Sequence, residues 1–172
     1  MNKVIVFVWV ILIVAFFNGK AYSQKLVFLF GHVIYGIPVD NYFKSNYNYG
    51  AGVEGGVGIG TGRTFLTGTI GYSSFITPSS NHYGNTSYVP IKGGLRHYLL
   101  VGKILFINVD AGAGLIKNSI VNYTSFSGDL GLGVKLGPTE IIVQYNGFTR
   151  SGFENSGYSS WIELKAGMRL GL

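Results

Sequence analysis

Cysteine is absent from all 172 residues. Disulfides therefore cannot staple the fold, and thiol nucleophiles, Cys-based metal sites and a lipidated-cysteine anchor are all excluded. Charge is scarce as well, at 12% of residues, about half the share usual in a water-soluble domain. The thirteen Lys+Arg outnumber seven Asp+Glu but form no basic run, so nothing resembles a nucleic-acid footprint. His32, His82 and His97 stand at no ligand spacing to one another, so no metal centre is expected. No helical period runs through the chain beyond its first residues. These absences leave packing, backbone pairing and the surrounding medium to hold the fold together.

The N-terminus has a separate logic. Met1-Asn2-Lys3 is a short basic start, Val4 to Phe17 is an unbroken apolar run, and Ala21-Tyr22-Ser23 puts small residues where a signal peptidase reads. Residues 1–23 are expected to be a secretory signal peptide cut before Gln24. The apolar run is short of the roughly twenty residues that span a bilayer as a helix. Residues 24–172 then form one domain, with a modest positive surplus once Lys3 and Lys20 are removed.

Beyond the signal the chain is rich in glycine (27 residues) and in aromatics, and its hydrophobicity alternates. Eight alternating segments are expected at 26–37, 47–60, 64–75, 87–98, 104–116, 122–136, 139–149 and 158–171. Side chains of a strand point to opposite faces with period two. In the last segment Ile162, Leu164, Ala166, Met168 and Leu170 share one face, while Glu163, Lys165 and Arg169 share the other. The fifth segment sets Leu105, Ile107 and Val109 against Asn108 and Asp110, and the sixth sets Leu130, Leu132 and Val134 against Asp129 and Lys135. Only the first is ambiguous, because Phe28, Phe30 and Ile34 share the parity of His32. Thr61-Gly62-Arg63, Leu99 to Lys103 and Gly137-Pro138 are short turns, whereas 38–46, 76–86, 117–121 and 150–157 are longer and rich in Asn, Ser, Gly and Tyr.

Short turns at one end and longer loops at the other indicate an all-β, eight-stranded antiparallel up-and-down barrel. With the apolar faces turned inward, the outside would be too sparsely charged for a good soluble protein. With those faces turned into lipid, a Lys or Arg there would cost about 2–4 kcal/mol near mid-bilayer, which accounts for its absence. The expected fold is therefore a transmembrane β-barrel with a polar interior filled by side chains. Glu54, Lys92, Arg96, Asp110, Asp129, Lys135, Glu140, Glu163, Lys165 and Arg169 make up the interior polar network. Unpaired charges in a narrow lumen are costly, and counting across the turns sets Lys92 about opposite Asp110 and Lys135 about opposite Glu140. Tyr35, Tyr47, Tyr49, Tyr72 and Tyr158 fall on the apolar parity near the long loops and form the expected aromatic girdle.

Three stretches carry a family likeness: Val89-Pro90-Ile91-Lys92-Gly93-Gly94-Leu95-Arg96-His97-Tyr98, Asn108-Val109-Asp110-Ala111-Gly112-Ala113-Gly114-Leu115, and Ala166-Gly167-Met168-Arg169-Leu170-Gly171-Leu172. In them the chain resembles the small outer-membrane β-barrels of OmpA/OmpX type, in the form common in Bacteroidetes-like envelopes. The resemblance implies outer-membrane localisation, contact with membrane lipid and lipopolysaccharide, long loops facing outside, and delivery by the barrel-insertion machinery. Family members usually end on an aromatic residue, where this chain has Leu172.

No catalytic residue and no cofactor is expected. Gly50-Ala51-Gly52-Val53-Glu54-Gly55 fits G-x-G-x-x-G, but a nucleotide site needs a helix after the motif, and here the strand alternation runs straight through. Small inward residues relieving a crowded lumen explain these glycines better. The expected role is structural, in envelope integrity, or interactive, through a loop partner left unidentified. A narrow gated porin-like pore and a soluble periplasmic ligand-binding barrel are the alternatives.

Overall fold

A computed structural model of the chain describes residues 26–78, 84–99, 102–150 and 157–171. The expected signal segment, His82, Leu172 and most of the loops around 79–83 and 151–156 lie outside the described residues. Eight strands follow in order: β1 Leu26–Pro38, β2 Tyr49–Thr61, β3 Thr64–Ile76, β4 Thr86–Tyr98, β5 Leu105–Lys117, β6 Asn122–Leu136, β7 Thr139–Arg150 and β8 Gly157–Gly171. Each pairs antiparallel with its neighbours, and β8 returns to β1 to close the barrel. Closure leaves no open sheet edge, which hydrocarbon would penalise.

The register is staggered. A line of paired residues from Phe28 passes Gly58, Thr67, Gly94, Asp110, Asp129, Asn146 and Trp161 and comes back to β1 at Pro38, ten residues further on. Such stagger tilts the strands and sets a lumen only wide enough for side chains. Two connections are two-residue hairpins, Gly62-Arg63 and Gly137-Pro138. In both, glycine supplies the positive φ (64° and 63°) that such tight turns require.

The outward parity is apolar across the middle of the strands, with polar residues such as His97, Lys117 and Asn122 only at the strand ends. Leu66, Ile70, Ile91, Val109, Leu132, Val143, Leu164 and Leu170 are all exposed, while Lys92 and Glu163 are 6% and 1% exposed. The parity of β1 is settled as well: Phe28, Phe30, His32 and Ile34 point in, and Leu29, Val33, Tyr35 and Ile37 point out.

The interior is stacked in three tiers. At the turn end Phe28, Phe30, Phe65, Tyr98, Phe106 and Ile142 form one aromatic cluster. At the loop end Phe43, Tyr47, Phe75, Tyr88, Ile116, Phe148 and Trp161 form another. Charged and amide side chains fill the space between. Inward rings need room in a narrow barrel, and inward glycines on adjoining strands provide it. Phe28 lies against Gly58, Phe30 against Gly56, Phe75 against Gly50 and Phe106 against Gly133, and a β-carbon at any of these glycines would collide with the ring. Gly50 and Gly56 bracket the glycine-rich stretch of β2, so that stretch serves packing.

A short helix, α1 (Asn41–Asn46), interrupts the first long loop. Asp40 caps it by accepting from the Phe43 N–H at 3.1 Å, and its second oxygen accepts from the Ser160 N–H at 2.7 Å. The cap thus ties the helix to β8 and lowers Phe43 into the mouth. There its ring meets Tyr47 and Phe75 at 4.7 Å and Trp161 at 5.6 Å.

Candidate functional site

The middle tier is the most chemically dense part of the molecule. Among the described residues, five carboxylates stand in the lumen (Glu54, Asp110, Asp129, Glu140 and Glu163) with three permanent cations, Lys92, Arg96 and Lys165. Each comes from the parity opposite the apolar face, because period two leaves no other direction.

One chain of contacts runs across β4, β7, β1, β2 and β8. Arg96 Nη1 donates to both oxygens of Glu140 at 3.0 and 2.8 Å. His32 sits between two acids, with Nδ1 2.9 Å from Glu54 Oε1 and Nε2 at a longer 3.4 Å from Glu140 Oε2. Lys165 Nζ donates to Glu54 Oε2 at 2.7 Å and lies 3.3 Å from Glu163 Oε2. The Trp161 indole N–H donates to the other Glu163 oxygen at 2.6 Å, linking the charged tier to the loop-end cluster. Buried charges held in this way are tolerable because each has a charged or hydrogen-bonded partner.

A second group occupies β3 to β7. Lys92 Nζ donates to Asp129 Oδ2 at 2.7 Å and to Asn146 Oδ1 at 2.9 Å. Asn108 Nδ2 donates to Asp110 Oδ2 at 3.0 Å and to Gln144 Oε1 at 3.3 Å, and Thr67 Oγ1 donates to Asp110 Oδ1 at 2.8 Å. Asp110 and Asp129 stand directly opposite each other. A small cavity lined by Glu54, Thr67, Asn108, Asp110, Asp129 and Lys165 separates the two groups.

Of the two pairings expected from sequence, one is displaced in register and the other holds without forming an ion pair. Lys92 stands opposite Gly112, and Asp110 opposite Gly94, because the β4–β5 connection is two residues longer in effect than the count allowed. Lys92 instead reaches across the lumen to Asp129. Lys135 does stand opposite Glu140, yet the Glu140 carboxylate goes to Arg96 and His32, and Lys135 stays half-buried at the turn-end mouth. Arg169 also leaves the middle tier: it donates to the Tyr98 hydroxyl and lies over the Phe28 ring at 3.7 Å.

Four of the expected girdle tyrosines, Tyr35, Tyr49, Tyr72 and Tyr158, are exposed on the outward face. Tyr35 stacks on Tyr49 with ring centres 5.8 Å apart, and Tyr72 bonds to Ser87. Tyr145 shares their outward exposure. Tyr47 departs from the expectation. It lies outside β2, as the C-cap of α1, and is buried in the loop-end cluster with its hydroxyl 2.6 Å from Thr86 Oγ1.

His32, Asn108, Gln144, Asn146 and Trp161 join the interior network beyond the ten charged residues expected to form it. All are on the inward parity, so the signal was present. Only for His32 was it ambiguous, because Phe28, Phe30 and Ile34 share its face. Among the described residues no group of His, Asp and Glu could hold a metal ion.

Comparison with solved structures agrees with this geometry. The outer membrane protein Ail of Yersinia pestis in a phospholipid bilayer nanodisc matches with a TM-score of 0.53 at 16% identity, over 86% of this chain and 100% of that one. The crystal structure of the same protein, the attachment invasion locus protein, matches at 0.55 and 13% identity, over 86% and 99%. The fold is that of a small outer-membrane barrel. No family model and no curated protein matches the sequence. Ail and this chain thus share the architecture at low identity, and the fold is what the likeness establishes.

Proposed function

We propose that the mature chain is an exported outer-membrane barrel whose role is structural, or interactive through its loops, and whose lumen is sealed. One observation carries this reading: the fold sorts the charges. The lumen holds five acids against three permanent cations, the outward strand faces carry hydrocarbon, and the remaining described cations sit at the two rims. Lys44, Lys117 and Arg150 are at the loop rim, and Arg63, Lys103, Lys135 and Arg169 at the turn rim. Lipid on the outside and phosphate-rich layers above and below would favour that distribution.

At the loop rim Arg150 lies over the Tyr42 ring at 4.1 Å, and Lys44, two residues further along α1, is exposed. A cationic, aromatic rim of this kind suits lipopolysaccharide phosphates, with the turn rim then facing the periplasm. Delivery by the barrel-insertion machinery and removal of residues 1–23 belong to the same reading. We assign the barrel no catalytic role.

Two measurements test it. Purified protein should show heat-modifiable migration on gels and should fractionate with membranes until detergent is added. Release by osmotic shock alone would favour the soluble periplasmic barrel. In planar bilayers the folded protein should carry no current, because aromatic clusters close the lumen above and below the ion pairs. Steady single-channel conductance would turn the reading toward the narrow pore.

A further inference from the structure

The turn-end mouth gathers three cations outside the ion-pair network just described. The Arg169 guanidinium lies 3.7 Å from the centre of the Phe28 ring and 5.5 Å from those of Phe65 and Tyr98. Lys103, in the β4–β5 connection, holds its Nζ 5.3 Å from the same Phe65 ring. Lys135, on the inward parity of β6, is tied to that connection by its N–H, which donates to the Ile104 carbonyl at 2.7 Å.

Two further features single out this mouth. The Lys103 backbone is left-handed, at φ 55°, immediately after Gly102 at φ 104°. A residue with a β-carbon seldom keeps that conformation, and where it does the strain often serves a site. Here it accompanies a lysine that lies over an aromatic floor, half-buried. The other two cations act on Lys103. The Lys103 ammonium is held below the ordinary lysine value by partial burial and then by the Arg169 and Lys135 charges. Glu140 is the acid whose charge reaches Arg169, but its carboxylate is already held by Arg96 and His32. Among the described residues no other carboxylate is placed at this mouth.

We propose that the turn-end mouth of the lumen is a phosphate-binding site, in which Lys103, Lys135 and Arg169 converge on one phosphate group above a floor of Phe28 and Phe65. A phosphate offers several acceptor oxygens, the guanidinium fork can take two of them, and the two ammonium groups supply mobile donors. The phosphate can belong to an anionic phospholipid headgroup in the leaflet around the turns, or it can be free inorganic phosphate.

The test uses the mature chain folded in a phosphate-free glycoside detergent, so the free-phosphate arm does not depend on membrane insertion. Inorganic phosphate and a short-chain phosphatidylglycerol are titrated separately while the backbone amide resonances of Gly102, Lys103 and Gly137 are followed. Saturable shifts at these amides are expected. Phosphatidylglycerol alone would identify a headgroup site, and response to both probes a general phosphate site. The double variant K103Q/K135Q should weaken binding by about tenfold or more, whereas K44Q/K117Q at the loop rim should leave it unchanged. Lys103→Gly is the second variant, because glycine accepts the left-handed backbone freely. It should unfold no more readily than the parent and still bind several-fold more weakly. Absence of saturable shifts with both probes would overturn the proposal, and so would parent-like binding by folded K103Q/K135Q or Lys103→Gly.

Discussion

The two ends of the lumen are closed with similar side chains by different means. At the turn end every ring of the aromatic cluster is borne by a strand: Phe28 and Phe30 on β1, Phe65 on β3, Tyr98 on β4, Phe106 on β5. At the loop end the central ring, Phe43, is brought in by α1, a six-residue helix held by the Asp40 cap. A helix under two turns is not stable alone, so its order comes from Phe43 docking and from the bond between Asp40 and Ser160. The turn-end plug therefore shares the stability of the barrel, while part of the loop-end plug can open with the strands intact.

That contrast can be broken in graded ways. Truncating a strand-borne aromatic should cost most. Trp161→Ala removes a fully buried ring touching Phe43, Phe75, Tyr88 and Phe148, and also the Glu163 hydrogen bond. Urea unfolding in vesicles should register a loss of about 3–5 kcal/mol, and Phe106→Ala at the other end should fall in the same range. Phe43→Ala should cost less, roughly 2 kcal/mol or under, because the plug can open before the barrel unfolds. Its mark should be local: faster amide exchange over residues 41–48 with strand protection little changed. If Phe43→Ala instead lowered global stability as much as Trp161→Ala, the plug would be part of one cooperative unit. Asp40→Ala should be the mildest, about 1 kcal/mol for a lost N-cap, again read as exchange confined to α1.

Much of the fold is legible in the sequence because, on the proposed membrane reading, lipid is an intolerant solvent. Leu130, Leu132 and Val134 beside Asp129 and Lys135 admit one orientation once charge is costly on the outside. The inside is more permissive: a narrow lumen accepts Phe28, His32 or Glu54 equally, provided the first finds an opposing glycine and the others find partners. Hence β1 could not be oriented by its own residues, and the aromatic tiers carried no parity signal of their own. α1 buries only Phe43, so no helical period exists to be seen.

Ion-pair partners were the least legible part. Counting across a turn finds neighbours on adjacent strands, whereas lumen side chains project toward the axis and meet strands farther round. Lys92 of β4 reaches Asp129 of β6, and Arg96 of β4 reaches Glu140 of β7. Tyr47 was misassigned for a related reason, since the parity of β2 extends only as far as the strand, which begins at Tyr49.

The orientation of the faces can be read with one fluorophore. The chain has two tryptophans, Trp9 within the expected signal peptide and Trp161 in the lumen, so the mature barrel carries a single one. In vesicles of phosphatidylcholine brominated along its acyl chains, Trp161 should be quenched weakly. A Trp161→Phe chain bearing Leu132→Trp should be quenched strongly and should resist aqueous iodide. Strong bromine quenching of Trp161, or iodide quenching of the tryptophan at position 132 in membrane-bound protein, would contradict a barrel that turns its hydrocarbon to lipid and its charges to the lumen.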